Sequence, residues 1–195
     1  EIYQNTKIEL ENIRQKELTN NFLQLENQKL RKLIDENISS EEILAKVLID
    51  KDSPFLKSII LNKGSKDSVK AGMGVIDGVY LVGQIIEVNY TNSRALLLSD
   101  LNSKIPSVLA PKNIQAVISG TGKNFGKIEH TKDDIKDDLK DKDVIIYTSG
   151  LGGIFKPGIP IGKISKDNQK RVNFFSDFTQ LDYVKIISFK IGDIK

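Results

Sequence analysis

The sequence has no cysteine and no tryptophan, and only one histidine and one methionine among its 195 residues. The missing cysteine excludes disulfides, thiol nucleophiles and thiolate metal sites, and leaves the redox compartment open. With a single histidine, only carboxylates remain to build a metal site. No apolar run approaches the roughly 18–20 residues that a membrane span needs. Neither sign of charge dominates: 29 Lys and Arg stand against 26 Asp and Glu, for a formal net charge of +3. That falls short of the excess usual in nucleic-acid binders. Hydrophobic residues make up 39% and charged residues 28%, which fits small domains plus an exposed element better than one thick globule. The length suits one or two domains. The chain starts at Glu1 and not at Met, so an N-terminal portion, a targeting or anchoring segment, is expected upstream.

What is present begins with a stretch that has neither Gly nor Pro, from Glu1 to about Asn37. Its Glu, Gln, Lys and Leu lose little rotamer freedom in a helix, and both signs of charge are mixed throughout. A continuous helix here would be roughly 50 Å long. Ile8, Leu18, Phe22 and Leu25 fit a heptad seam, with the last three in d, a, d spacing. Leu23, Leu30, Leu33 and Ile34 continue on a shifted stripe, so the seam drifts. Such a helix either lies solvated on its own domain or pairs with another copy of the chain. A long helix is stabilised mainly by burying an apolar face, so we expect pairing. The dimer contacts expected are Leu18, Phe22, Leu25, Leu30 and Leu33.

Ser39 to Glu42 reads as a cap or linker, and β character follows. Short β-branched runs recur at 45–50, 58–61, 74–76, 80–88, 94–99 and 105–109. A second set lies at 115–119, 126–130, 144–149, 160–165, 171–176 and 183–189. Turn signals separate them, including Asp52-Ser53-Pro54, Asp77-Gly78 and Asp100-Leu101-Asn102-Ser103. Six short strands twice over, with no long helix between them, predict two small antiparallel barrels or sandwiches. The junction is expected at Pro111-Lys112-Asn113, giving a helix over 1–38, a first β-domain over 39–112 and a second over 113–195. Lys132 to Asp143 reads as a charged loop or amphipathic turn, and Ile191 to Lys195 as a fraying tail. The segment Lys63 to Gln84, with four glycines between Gly72 and Gly83, alternates glycine with apolar residues. It reads as tight turns between half-buried strands and carries no acid–base pair.

Motifs that carry chemistry fail on inspection. Ser149 in Thr148-Ser149-Gly150 needs a base within hydrogen-bond reach, yet His130 is the only histidine and lies beside an acidic run. The aspartates between Asp133 and Asp143 do not follow calcium-loop spacing and alternate with lysines. Gly120-Thr121-Gly122-Lys123 lacks the first glycine and the final Ser or Thr of a phosphate loop. Gly72-Met73-Gly74 and Gly150-Leu151-Gly152 lack the third glycine of a dinucleotide fold. No catalytic residue, cofactor or metal is expected. The runner-up reading is a small β-barrel module for single-stranded nucleic acid, resting on Lys170-Arg171-Val172-Asn173-Phe174-Phe175. Phe174, Phe175 and Phe178 are instead expected to fill the second β-domain or to form a partner patch.

Leu25 to Ile34 (LENQKLRKLI), Lys63 to Ile86, Ser93 to Pro106 and Asp143 to Ile164 (DVIIYTSGLGGIFKPGIPIGKI) together carry a resemblance. In that order they resemble the extracytoplasmic region of the rod shape-determining protein MreC family. Departures are local: Ser68 stands where the family has Gly, Gly74 where Pro is common, Lys142 where Gly precedes Asp143, and Lys156-Pro157 inverts a Pro-first order. The resemblance implies a coiled-coil helix followed by two small six-stranded antiparallel β-barrels. It implies a non-enzymatic, self-associating scaffold of the bacterial envelope, with a membrane helix before Glu1 and this region in the periplasm. The implied partners are a second copy of the chain, MreD, and the transpeptidase and polymerase that build peptidoglycan, with no nucleic acid and no cofactor.

Overall fold

The computed structural model describes residues 2–33, 41–48, 57–131, 144–164 and 170–188, with side chains of the helix described over 6–26. The chain divides into two units, residues 1–38 with 191–195, and residues 39–190. The first holds helix α1, Ile2–Leu33. Its uninterrupted run follows from the absence of Gly and Pro and from its straight-chain residues. Thr19, a weak helix former, turns its hydroxyl back to donate to the Gln15 carbonyl at 2.9 Å. The expected cap at Ser39-Ser40 and the Asp52-Ser53-Pro54 turn lie outside the described residues, as do Lys132 to Asp143 and Ile191 to Lys195. Glu42, expected in the linker, already begins the first strand.

The second unit consists of two closed antiparallel barrels. One contains β1 (Glu42–Leu48), β2 (Ser58–Leu61), β3 (Gly74–Asp77), β4 (Tyr80–Val88), β5 (Ser93–Leu97) and β12 (Tyr183–Ile187), in the order β1-β12-β3-β4-β5-β2. The other contains β6 (Lys104–Ala110), β7 (Ile114–Gly120), β8 (Phe125–Thr131), β9 (Ile145–Thr148), β10 (Pro160–Ile164) and β11 (Arg171–Phe174), in the order β10-β11-β8-β7-β6-β9. Period-two alternation turns one side of each strand inward: Ala45, Ile59, Leu61, Val75, Val82, Ile85, Ala95, Val184 and Ile186 fill the first barrel. Ile105, Leu109, Ile118, Ile128, Ile146, Ile161 and Val172 fill the second. Each Val, Leu and Ile among them contributes roughly 1.5–3 kcal/mol by leaving water. Closure removes the open edges that would otherwise pair with other chains.

The expected division at residue 112 is not the division the strands make. Lys104–Ala110, assigned to the first domain, pairs with β7 and β9 inside the second barrel. Tyr183–Ile187, assigned to the second, pairs with β1 and β3 and closes the first. Pro111-Lys112-Asn113 is the β6–β7 hairpin turn, with Asn113 at φ 59°. Strand count is a local property of the sequence, whereas partnership is decided by which apolar faces meet. Six strands on either side of a turn therefore could not reveal one strand leaving and another returning.

Glycines sit where backbones nearly touch. A Cβ on Gly83 would run into the Leu96 carbonyl, and one on Gly120 into the Asp100 carbonyl. Ser68, where the resembled family has Gly, takes φ 66°; the position keeps the left-handed conformation that glycine adopts without strain.

Candidate partner-binding surfaces

Every described side chain of α1, residues 6–26, is exposed. Leu18, Phe22 and Leu25 are 64%, 64% and 65% exposed. At about 100° per residue they fall within roughly 60° of one another, with Ile8 on the border of that stripe. Leu10 and Ile13, also exposed, lie roughly 90° and 150° around the helix from the centre of that stripe. The side chains of Leu30 and Leu33 lie outside the described residues, although their backbone is helical. The structure thus aligns three of the five expected contacts on one apolar stripe.

The two glycine-bearing motifs come together between the barrels. Ser65, Ser68, Lys70, Ala71, Gly72, Met73 and Gln84 line a cleft of about 730 Å³ together with Gly153, Ile154, Glu41 and Ser188. The Gly72–Met73 segment is tied to β4: Gly72 N–H donates to the Ile85 carbonyl at 2.8 Å, and Ile85 N–H donates to the Met73 carbonyl at 2.8 Å. Gln84 Nε2 donates to the Gly72 carbonyl at 3.2 Å. Phe155, 2% exposed, enters one core cluster with Ile76 and Leu81 of the first barrel and Ile159 and Ile161 of the second. The hydrophobic interior therefore runs from one barrel into the other.

The phenylalanines behind the nucleic-acid reading are spent on this junction. Phe174 meets Phe178 edge-to-face at 5.4 Å, and Phe178 packs against both core clusters. Phe175 lies 5.0 Å from the Tyr80 ring of the first barrel. Ring faces engaged this way offer no stacking platform for bases.

The remaining motifs have structural places. His130 on β8 and Ser149 after β9 belong to strands three steps apart in either direction around a six-stranded barrel. Ser149 Oγ accepts from Leu151 N–H at 3.2 Å, an ordinary turn contact. The neighbouring Thr148 is buried, accepting from Ile159 N–H at 2.9 Å and donating to the Lys156 carbonyl at 2.6 Å. Gly120 to Lys123 is the β7–β8 turn, where Gly122 N–H donates to the Ser99 carbonyl at 2.8 Å. Among the described residues no three His, Cys, Asp or Glu side chains group as metal ligands.

Sequence reasoning missed Asp100, a carboxylate 2% exposed in the turn after β5. Its oxygens accept from Lys57 N–H at 2.8 Å, Asn102 N–H at 2.8 Å and Asn102 Nδ2 at 3.0 Å. The Asp-x-Asn spacing is a turn signal, but nothing local announces that Lys57 is the third donor.

Charge on the outer faces is arranged in cross-strand pairs. On the second barrel Ser119 Oγ donates to Glu129 Oε2 at 2.5 Å, and Lys104 Nζ to Oε1 at 3.2 Å. The Ser119 hydrogen bond, followed by that from Lys104, holds the Glu129 carboxyl below its ordinary value. On the first barrel Lys185 Nζ donates to Glu42 at 2.8 Å and lowers that carboxyl likewise. Beside this pair Leu44 and Tyr183 are exposed, diagonal to each other across the β1–β12 register.

Residues 47–188, from within β1 to the end of β12, match the family described as rod shape-determining protein MreC, barrel core. The cell shape-determining protein MreC of Cereibacter sphaeroides is 33% identical over 143 residues, covering 72% of this chain and 47% of that protein. The chain spans about half the length of the curated relatives it matches. The solved MreC of Listeria monocytogenes superposes with a TM-score of 0.72 at 25% identity, covering 98% of this chain and 99% of that one. A solved complex of Penicillin-Binding Protein PBP2 with MreC from Helicobacter pylori shares the fold at a TM-score of 0.55 and 12% identity, covering 76% of this chain and 98% of that one. With residues 47–188 matched to its barrel core, the chain belongs to the rod shape-determining protein MreC family.

Proposed function

We propose that this chain is the extracytoplasmic part of a membrane-tethered, self-associating scaffold that organises the cell-wall elongation machinery and so maintains cell shape. Proteins of its family are structural shape-determining proteins, not enzymes. The observation that carries the proposal is the stripe of Leu18, Phe22 and Leu25 on a helix whose described side chains are all exposed. Water-exposed apolar residues in d, a, d spacing gain roughly 1.5–3 kcal/mol each when a second helix covers them. From the sequence, Leu30 and Leu33 on the shifted stripe belong to the same proposed interface.

The barrels supply docking surfaces to partners held on the same membrane. The solved PBP2–MreC complex of the Helicobacter pylori proteins supports a transpeptidase as one partner. Family resemblance supports MreD and the polymerase as further partners, together with a membrane anchor and a periplasmic position for the barrels. No helix among the described residues is long and apolar enough to cross a membrane itself. Tethering raises the effective concentration of partners, so individually weak contacts suffice.

Replacing Phe22 and Leu25 with aspartate tests the pairing. Sedimentation should show a shift to monomer while the β-rich circular dichroism is retained. An unchanged mass for the double variant would remove the helix as the interface.

A further inference from the structure

The outside of the second barrel carries a row of cations that the scaffold reading leaves unused. The strand register sets Lys104 opposite Ser119, Ser119 opposite Lys127, and Lys127 opposite Arg171. At about 4.8 Å between strands the row is roughly 14 Å long. On the next row Lys163 stands opposite Asn173, and Asn173 opposite Phe125. Lys127, Lys163 and Arg171 are exposed, and none has a carboxylate partner among the described residues. The Arg171 guanidinium lies over the Phe125 ring, 4.1 Å from its centroid. Stacking fixes that side chain while its edge N–H groups remain available for a bidentate acceptor.

We propose that this row docks an acidic, carboxylate-bearing extended segment of a protein partner. The face already holds one carboxylate in this way, since Glu129 is seated on Ser119 and Lys104 at the end of the row. A narrow row on the convex outside of a barrel suits an extended chain that follows it, whereas a flat lipid surface touches only its crest. Single-stranded nucleic acid is disfavoured because one face of Phe125, the only ring on these two rows, is covered by Arg171. The proposal goes beyond the scaffold reading and stands or falls apart from helix pairing.

The test is a fluorescence-anisotropy titration of the chain with a short synthetic peptide of alternating glutamate and serine. Binding should weaken as salt rises above physiological strength, because screening shortens the reach of exposed charges. Lys127→Gln with Lys163→Gln should weaken it about tenfold, at roughly threefold per exposed charge removed. Arg171→Lys keeps the charge but loses the fork, and should weaken binding about threefold. The matched first-barrel variant, Lys46→Gln with Lys66→Gln, should change it less than about twofold. Absence of salt-sensitive binding, or equal weakening by the first-barrel variant, overturns the proposal. So does tighter binding of phosphatidylglycerol vesicles or an oligothymidylate through the same residues.

Discussion

At the scale of single residues, buried polar groups do more to fix this fold than the many surface charges. Asp100 takes three N–H donors from two separate segments, so Asp100→Ala leaves Lys57 N–H and Asn102 N–H without their acceptor. We expect a loss of about 2–4 kcal/mol, read from the urea midpoint at unchanged slope. A change below about 0.5 kcal/mol would show that solvent replaces the carboxylate. Glu129 gives a pH prediction. Its folded pKa lies below the ordinary 4.5, with the Ser119 hydrogen bond as the largest cause. Its stabilising contribution is therefore complete above that value and is lost as the pH falls through the lower folded value. Ser119→Ala should move the Glu129 titration, followed by NMR, upward toward 4.5; an unmoved titration would assign the shift to Lys104 alone.

At the scale of elements, α1 and the strands were legible to different depths. The Gly- and Pro-free run marked the helix, and alternation with turn signals marked all twelve strands within a few residues of their bounds. Both are local: a period of 3.6 or 2 is written in consecutive residues. The stripe of Leu18, Phe22 and Leu25 follows from spacing alone, so the Phe22 and Leu25 aspartate variant tests the sequence reading as directly as the structure. Removing residues 1–37 should have the same effect on mass and leave the barrel thermal transition in place. A barrel transition lost with the helix would mean that α1 serves the fold of its own chain. The cation row was not legible: Lys104, Lys127 and Arg171 are far apart in sequence, and only strand register sets them on one row.

At the scale of the whole molecule, the barrels are interlocked by the chain path. The first barrel is closed by β12, which arrives only after the entire second barrel has been built. A chain ending at residue 182 would leave β1 and β3 with open edges and remove Val184 and Ile186 from the core. We expect it to lose the cooperative unfolding transition and to aggregate. An intact chain should unfold in one step by near-UV and far-UV signals alike, because Phe155 and Phe178 bind the two cores together. Two separated transitions would show that each barrel is stable by itself.

The sequence by itself determined the number and kind of elements, the absence of thiol chemistry, and the apolar stripe of the helix. These depend on neighbours along the chain and on composition. Tertiary structure alone decided which barrel each strand joins, that the two glycine-rich motifs share one cleft, and which donor meets Asp100. Those outcomes depend on side chains from distant segments competing for the same buried faces, and no local period encodes the winner.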